Sequence, residues 1–209
     1  MISRLHIIGA DTLSISQVEM AEMACRAGAD WIQARIKNKS LKQTREIVAK
    51  MKLICDHFQA RLIINDHPGI VKKIKAHGVH LGKEDMSVPE ARKLLGKKFI
   101  IGATANTAEE VKKRMEEGAD YIGLGPYKYT HTKENLSPLL GLQGIEDICI
   151  KYGKQIPIIA IGGIEITDIE DIQKAGAYGL AISSVISYAI DPIETCQAFM
   201  NKINQYTYA

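Results

Sequence analysis

The 209-residue chain has little of what marks several protein classes. Three Phe and one Trp are too few for the stacking platforms of a single-strand nucleic-acid binder. Its 27 basic and 24 acidic residues leave a net charge of +3, too mild for a nucleic-acid footprint. No apolar run approaches the ~20 residues of a membrane helix. The N-terminal MISRLHIIGADTLS carries only a short apolar patch, so no secretory signal is expected. Cys25, Cys55, Cys149 and Cys196 lie at least 30 residues apart without a CxxC pair. Buried, reduced thiols in a cytoplasmic protein are therefore expected. His57, His67, His77 and His80 form no HExxH pattern, so a zinc site is not expected. No Ser-His-Asp pairing is discernible, and no GxGxxG follows a strand.

What is present is a rhythm. Short, continuous apolar runs recur at Leu5–Ile8, Trp31–Ile36, Leu62–Ile64, Val79–Leu81, Phe99–Ile101, Tyr121–Leu124, Ile158–Ile161 and Leu180–Ile182. Unbroken rather than alternating runs suit parallel strands covered on both faces. Helical patterns lie between them, most clearly Leu41, Ile47, Val48, Met51, Ile54, Cys55 and Phe58. Ser16-x-x-Glu19, Ser87-x-x-Glu90, Thr107-x-x-Glu110 and Thr167-x-x-Glu170 read as capping boxes at helix starts. An internal echo supports the repeat: Gly28-Ala29-Asp30-Trp31, Gly118-Ala119-Asp120-Tyr121, Gly176-Ala177-Tyr178 and, more loosely, Gly78-Val79-His80. In each, glycine can close a helix in the left-handed conformation just before a strand. With 46% hydrophobic residues and no linker, residues 1–209 are expected to form a single (β/α)8 TIM barrel. An open doubly wound sheet is the alternative.

In a barrel the active groups stand at the C-terminal strand ends. Those positions hold Gln33, Arg35 and Lys37, then Asn65-Asp66, then Gly82-Lys83-Glu84-Asp85, then Thr104. The sixth run leads into Gly125-Pro126-Tyr127-Lys128-Tyr129-Thr130-His131-Thr132-Lys133, the seventh into Gly162-Gly163, and the eighth into Ser183-Ser184. The last two pairs occupy the usual phosphate site of barrels, where glycine lets backbone N–H groups approach an anion. Arg35, Lys37 and Lys133 make a second cationic group, yet Asp66 and Asp85 share its rim. Carboxylates beside a polyanion call for a divalent cation between them, which suggests a Mg²⁺–diphosphate. Read singly, each Asp is a helix cap or a surface ion pair, and Gly-Gly a tight turn.

Taken in order, Gln33-x-Arg35-x-Lys37, Asn65-Asp66, Gly78 to Asp85, Gly123-x-Gly125-Pro126 with Thr130-x-Thr132-Lys133, and Ile161-Gly162-Gly163-Ile164 resemble the thiamine phosphate synthase family. The resemblance implies a (β/α)8 barrel that joins hydroxymethylpyrimidine diphosphate to hydroxyethylthiazole phosphate, releasing pyrophosphate. It implies that Gln33, Arg35, Lys37, Asn65, Thr104 and Lys133 hold the pyrimidine diphosphate, with Arg35, Lys37 and Lys133 stabilising the leaving group. It further implies Mg²⁺ at Asp66 and Asp85, and thiazole phosphate at Thr130, Thr132, Gly163, Ser183 and Ser184. Partners would be small phosphorylated molecules, with no nucleic acid and no membrane, in the cytoplasm. Departures from the family pattern are Thr104-Ala105-Asn106 for the usual Ser-Thr-His, Ser183 for an aliphatic residue, and His77 at a commonly acidic position. Thiazole tautomerases of the same barrel tend to lose the Asp pair and to carry a catalytic His where Pro126 stands. They are the rival reading, with a non-catalytic phosphate-binding module as another. An aldolase is disfavoured because no Lys stands inside a strand as a Schiff-base candidate.

Overall fold

The computed structural model describes residues 1–10, 15–130 and 137–205. Its strands are β1 (Leu5–Ile8), β2 (Trp31–Ala34), β3 (Arg61–Asn65), β4 (Gly78–Leu81), β5 (Ile100–Ala105), β6 (Tyr121–Leu124), β7 (Ile158–Ile161) and β8 (Gly179–Ile182). Each pairs in parallel with the next, and β8 returns to β1 with Leu5 opposite Leu180 and Ile7 opposite Ile182. The sheet is a closed barrel, which excludes the open doubly wound alternative. Around it run α1 (Gln17–Arg26), α2 (Leu41–His57), α3 (Pro68–Ile74), α4 (Val88–Leu95), α5 (Ala108–Glu116), α6 (Gly141–Tyr152), α7 (Ile169–Lys174), α8 (Ser184–Ser187) and α9 (Pro192–Gln205). A 3-10 turn, Ile166–Asp168, precedes α7.

Side chains alternate across each strand, and the two faces bury different sets. Outward residues such as Ile7, Ile32, Leu62, Val79 and Ile101 join the helices in one continuous core. Inward residues Ile8, Trp31, Ile63, Tyr121, Ile159 and Ala181 fill the barrel as a separate cluster. Trp31 is fully buried there, its ring stacked on His6 at 4.3 Å between centroids. Truncating it to Ala would cost about 3–5 kcal/mol. Glycine makes room for the rings: a Cβ on Gly102 would lie 2.1 Å from Tyr121 Cζ.

Local expectations meet mixed outcomes. The Ser16 and Ser87 capping boxes form with both bonds, and so does a third at Ser40 and Gln43 that the Glu-only pattern overlooks. Thr107 caps α5, but the Glu110 carboxylate turns back to the Asn106 N–H instead, at 2.7 Å. The expected box at Thr167 is overturned. Thr167 lies inside the 3-10 turn, and the reciprocal pair is Glu165 with Asp168. In α2 the buried face is Thr44, Val48, Met51 and Cys55, while Leu41 and Phe58, placed on the apolar stripe by spacing, are exposed at the two ends. Gly28, Gly118 and Gly176 take φ of 98°, 88° and 90° as the echo requires, but Lys75, at φ 55°, closes α3 in place of Gly78. All four cysteines are free and buried.

Candidate active site

Two strand ends differ from expectation in ways that shape the mouth. β2 stops at Ala34, so Arg35 and Lys37 stand on the turn beyond it rather than on a strand face. That turn is held from below: the buried Gln17 of α1 donates from Nε2 to the Arg35 carbonyl at 2.8 Å. Gln17 fits only because Gly9 has no side chain, since a Cβ there would sit 1.9 Å from Gln17 Oε1. β5 runs on to Ala105, which places Thr104 inside the strand and facing the interior.

The strand ends surround a cavity of about 570 Å³, within the ordinary range for a small-molecule site. Gln33, Arg35, Lys37, Asn65, Asp66 and Asp85 line one side of it. Thr104, Thr130, Gly163, Ser183 and Ser184 line it as well. His131, Thr132 and Lys133 lie outside the described residues. A second hollow of about 600 Å³ shares Asp66 and gathers Lys42, Arg45 and Lys73, but it holds no other expected site residue.

The two acids meet. Asp66, at φ 69°, occupies the left-handed region that Asp tolerates better than most residues. Its carboxylate accepts from Lys37 Nζ and Asn65 Nδ2. Burial works against its charge, but hydrogen bonds from Asp85 and Lys37 hold its carboxyl below the usual range. Asp85 moves the other way: burial and the bond to Asp66 push it up, against a 2.7 Å bond from the Gly82 N–H. Two carboxylates this close oppose each other's ionisation, and Asp85 is the one that bears the cost. Among the described residues no cluster of three or more His, Cys, Asp or Glu is arranged to hold a metal. The pair offers two carboxylates. Lys37 is tied to Asp66 and Lys83 to Glu110 at 2.6 Å, whereas no carboxylate pairs with Arg35 among the described residues.

Below the acids runs a buried polar chain that spacing did not single out. His80 lies 3.0 Å through Nδ1 from Tyr121 Oη and 3.0 Å through Nε2 from Thr104 Oγ1, and Tyr121 is also bonded to Gln33. Burial lowers His80 to a pKa of about 4, with Asp66 opposing, and lowers His6 to about 3 with His80 adding to the shift. Burial raises the Tyr121 phenol. The floor is therefore uncharged at neutral pH, with His80 committed to the Tyr121 and Thr104 hydroxyls and His6 to the Ser3 carbonyl. His77, three residues before His80, instead accepts the Leu62 N–H on Nδ1. A period-two reading of β4 would have found His80: Val79 and Leu81 face the helices, so His80 faces in.

The opposite end of the cavity carries almost no charge. Gly162 and Gly163 have φ of 108° and 61°, conformations that glycine adopts far more readily than most residues. Among the described residues the buried Ser183 hydroxyl has no hydrogen-bond partner, an arrangement that costs stability unless a ligand completes it. Asn106, the departure in the fifth loop, is buried beside this end. Its Nδ2 donates to the Gly125 carbonyl and its Oδ1 accepts from Ser137 Oγ at 3.0 Å. It thereby holds both ends of the sixth loop, a role that only three-dimensional neighbours reveal.

A family model described as thiamine monophosphate synthase matches residues 5–186. The thiamine-phosphate synthase of Bacteroides fragilis is 44% identical over 200 residues, covering 94% of this chain and 98% of that one. That of Flavobacterium psychrophilum is 41% identical, covering 97% of this chain and all of its own. Among solved structures, a thiamine phosphate pyrophosphorylase from Pyrococcus furiosus superposes with a TM-score of 0.87 at 29% identity, covering 97% and 96% of the two chains. A 3-hexulose-6-phosphate synthase, with a TM-score of 0.71 at 18% identity and coverage of 96% and 100%, shares the barrel fold alone.

Proposed function

The chain belongs to the thiamine monophosphate synthase family, and on that premise we propose how its barrel mouth divides the work. The reaction joins hydroxymethylpyrimidine diphosphate to hydroxyethylthiazole phosphate, giving thiamine phosphate and pyrophosphate. The observation that carries the division is the Asp66–Asp85 pair, bordered by Lys37 and Arg35 on one side of a cavity whose other end is glycine and serine.

The pyrimidine diphosphate lies with its phosphates toward Arg35 and Lys37, and Gln33, Asn65 and Thr104 direct its ring end. Lys133 completes the cationic set. Mg²⁺ suits the acids: they are hard oxygen donors, two in number as Mg²⁺ prefers when substrate phosphates supply further oxygens, and a cation between them would relieve the mutual repulsion that raises Asp85. When bound, Mg²⁺ neutralises charge on the departing diphosphate. Arg35, with no carboxylate partner among the described residues, offers its full charge to the same oxygens. As the C–O bond to the diphosphate breaks, negative charge grows there and positive charge on the pyrimidine methylene. Fixed cations at that end stabilise the first without reorganising, which is the main source of rate enhancement in many enzymes.

The thiazole phosphate sits at the other end, on Gly163, Ser183 and Ser184 with Thr130 and Thr132. The buried Ser183 hydroxyl supports this, since an anion there would give it the partner it lacks. The thiazole nitrogen attacks the methylene directly, so no covalent nucleophile is needed. The neutral floor of His6, His80 and Tyr121 places no charge beneath the developing cation. Among the described residues no helix is long and apolar enough to cross a membrane, and the buried free thiols suit a reducing cytoplasm. Residues 1–209 act as one domain.

The test is incubation with both substrates and Mg²⁺. Thiamine phosphate and pyrophosphate should appear together and only when all three are present. A tautomerase would instead aromatise the thiazole carboxylate without the pyrimidine diphosphate, and that outcome would overturn the assignment.

A further inference from the structure

Asp168 is among the few acidic side chains this protein buries, at 8% exposure, and it lines no part of the cavity. Its Oδ1 and Oδ2 accept from Lys128 Nζ at 2.7 and 2.8 Å, and Oδ2 also accepts the Glu165 N–H at 2.9 Å. Lys128 stands two residues before Thr130, and Glu165 two residues after Gly163. The carboxylate thus grips one segment on each side of the expected thiazole-phosphate site. Between those grips the two segments are already zipped: Tyr127 N–H donates to the Ile161 carbonyl at 2.8 Å, and Lys128 N–H to the Gly162 carbonyl at 2.9 Å. They pack so closely that a Cβ on Gly163 would lie 2.6 Å from the Tyr129 carbonyl oxygen.

We propose that Asp168 is a positioning residue for the thiazole phosphate, setting the loop after β6 against the loop after β7 through its bonds to Lys128 and to the Glu165 backbone. The inference rests on the reading that these loops hold that phosphate. The pair joins a half-exposed lysine to a buried acid, so loss of the lysine leaves the Asp168 carboxylate with the Glu165 N–H and some cost in stability. What the pair fixes is distance. A carboxylate anchored to its own backbone by the Glu165 N–H gives Lys128 one docking point, and Thr130 follows Lys128 within two residues. Phosphate donors placed from two separate loops lose affinity when the loops drift by a fraction of an ångström, and reactivity when the bound substrate is displaced.

The experiment measures KM for each substrate separately, with Mg²⁺ saturating, in Asp168→Asn, Lys128→Met, Lys128→Arg and the Asp168→Asn/Lys128→Met double variant. Asp168→Asn keeps an oxygen for the Glu165 N–H but loses the ion pair. Lys128→Met loses the pair while leaving the start of α7 untouched, so it still tests the proposal should Asp168→Asn fold poorly. The expected result is a rise of ~10-fold or more in KM for thiazole phosphate in both single variants, with KM for the pyrimidine diphosphate within about twofold of wild type. The double variant should be no worse than the worse single, because both remove one link. Lys128→Arg should restore near-normal KM. Unchanged thiazole-phosphate KM in Lys128→Met, or equal rises for both substrates, would overturn the proposal. Ser184→Ala separates it from the reading beneath it. If Ser184→Ala raises that KM while Asp168→Asn and Lys128→Met do not, only the positioning role falls; if none of the three does, the phosphate site is misplaced and the inference falls with it.

Discussion

On the proposed reading, the two ends of the cavity recognise anions by different means. The end built from β2, β3 and β4 uses side-chain charge: Arg35, Lys37, Asp66 and Asp85, with Lys37 held against Asp66. The end built from β7 and β8 uses backbone and hydroxyls: Gly162, Gly163, Ser183 and Ser184. On that reading the difference follows from what each anion does in the reaction. A diphosphate that leaves gains charge during the reaction, so its site needs cations that respond most strongly at the transition state. A phosphate that merely anchors its substrate keeps its charge throughout. Neutral donors suffice there, and they avoid the desolvation that buried lysines would bring.

That contrast can be broken at its charged end first. Asp66→Ala should lower turnover about a hundredfold, the ~3 kcal/mol typical of one lost electrostatic group, and raise the Mg²⁺ concentration needed for half-maximal rate; rates of thiamine phosphate formation across a Mg²⁺ series check both. Arg35→Lys keeps the charge but loses the planar fork that matches a phosphate. We expect a loss of roughly tenfold in kcat/KM for the pyrimidine diphosphate and no change in KM for the thiazole phosphate.

At the neutral end, Ser183→Ala should raise KM for thiazole phosphate about fivefold, the ~1 kcal/mol of one neutral hydrogen bond. The same change removes a buried, unpartnered hydroxyl, so the melting temperature without ligand should hold or rise. A drop in both stability and affinity would mean that the hydroxyl serves the fold instead.

A pH dependence that vanishes only above neutrality concerns the floor that joins the two ends. His6 and His80 titrate at about 3 and about 4 in the folded chain against 6.5 when unfolded. Below pH 6.5 the unfolded state takes up protons that the folded state refuses, so stability falls as pH drops from 6.5 towards 4. The slope approaches about 1.4 kcal/mol per pH unit for each ring. Urea unfolding between pH 7 and 5 measures it, and His6→Phe should flatten it by roughly half.

How far these features could be read in the chain depended on whether they were local. The barrel followed from continuous apolar runs between helical patterns, and the acids and glycines followed from their place at strand ends. Capping boxes at Ser16 and Ser87 are local and were legible; Thr167 was not, because a 3-10 turn moved the cap to Glu165. The floor was obscured because His80 and Tyr121 are 41 residues apart and meet only through barrel register. Asn106 and Asp168 were obscured for the same reason, their partners Ser137 and Lys128 lying 31 and 40 residues away. A residue that works by holding another loop leaves no periodic trace.

The division of the cavity depends above all on where pyrophosphate binds and what it needs there. Calorimetric titration of pyrophosphate into wild type and Asp66→Ala, each with and without Mg²⁺, measures this apart from turnover. Wild type should bind pyrophosphate markedly more tightly with Mg²⁺, and Asp66→Ala should lose most of that gain. Equal affinity with and without the ion in wild type would contradict the assignment of the charged end to the leaving diphosphate.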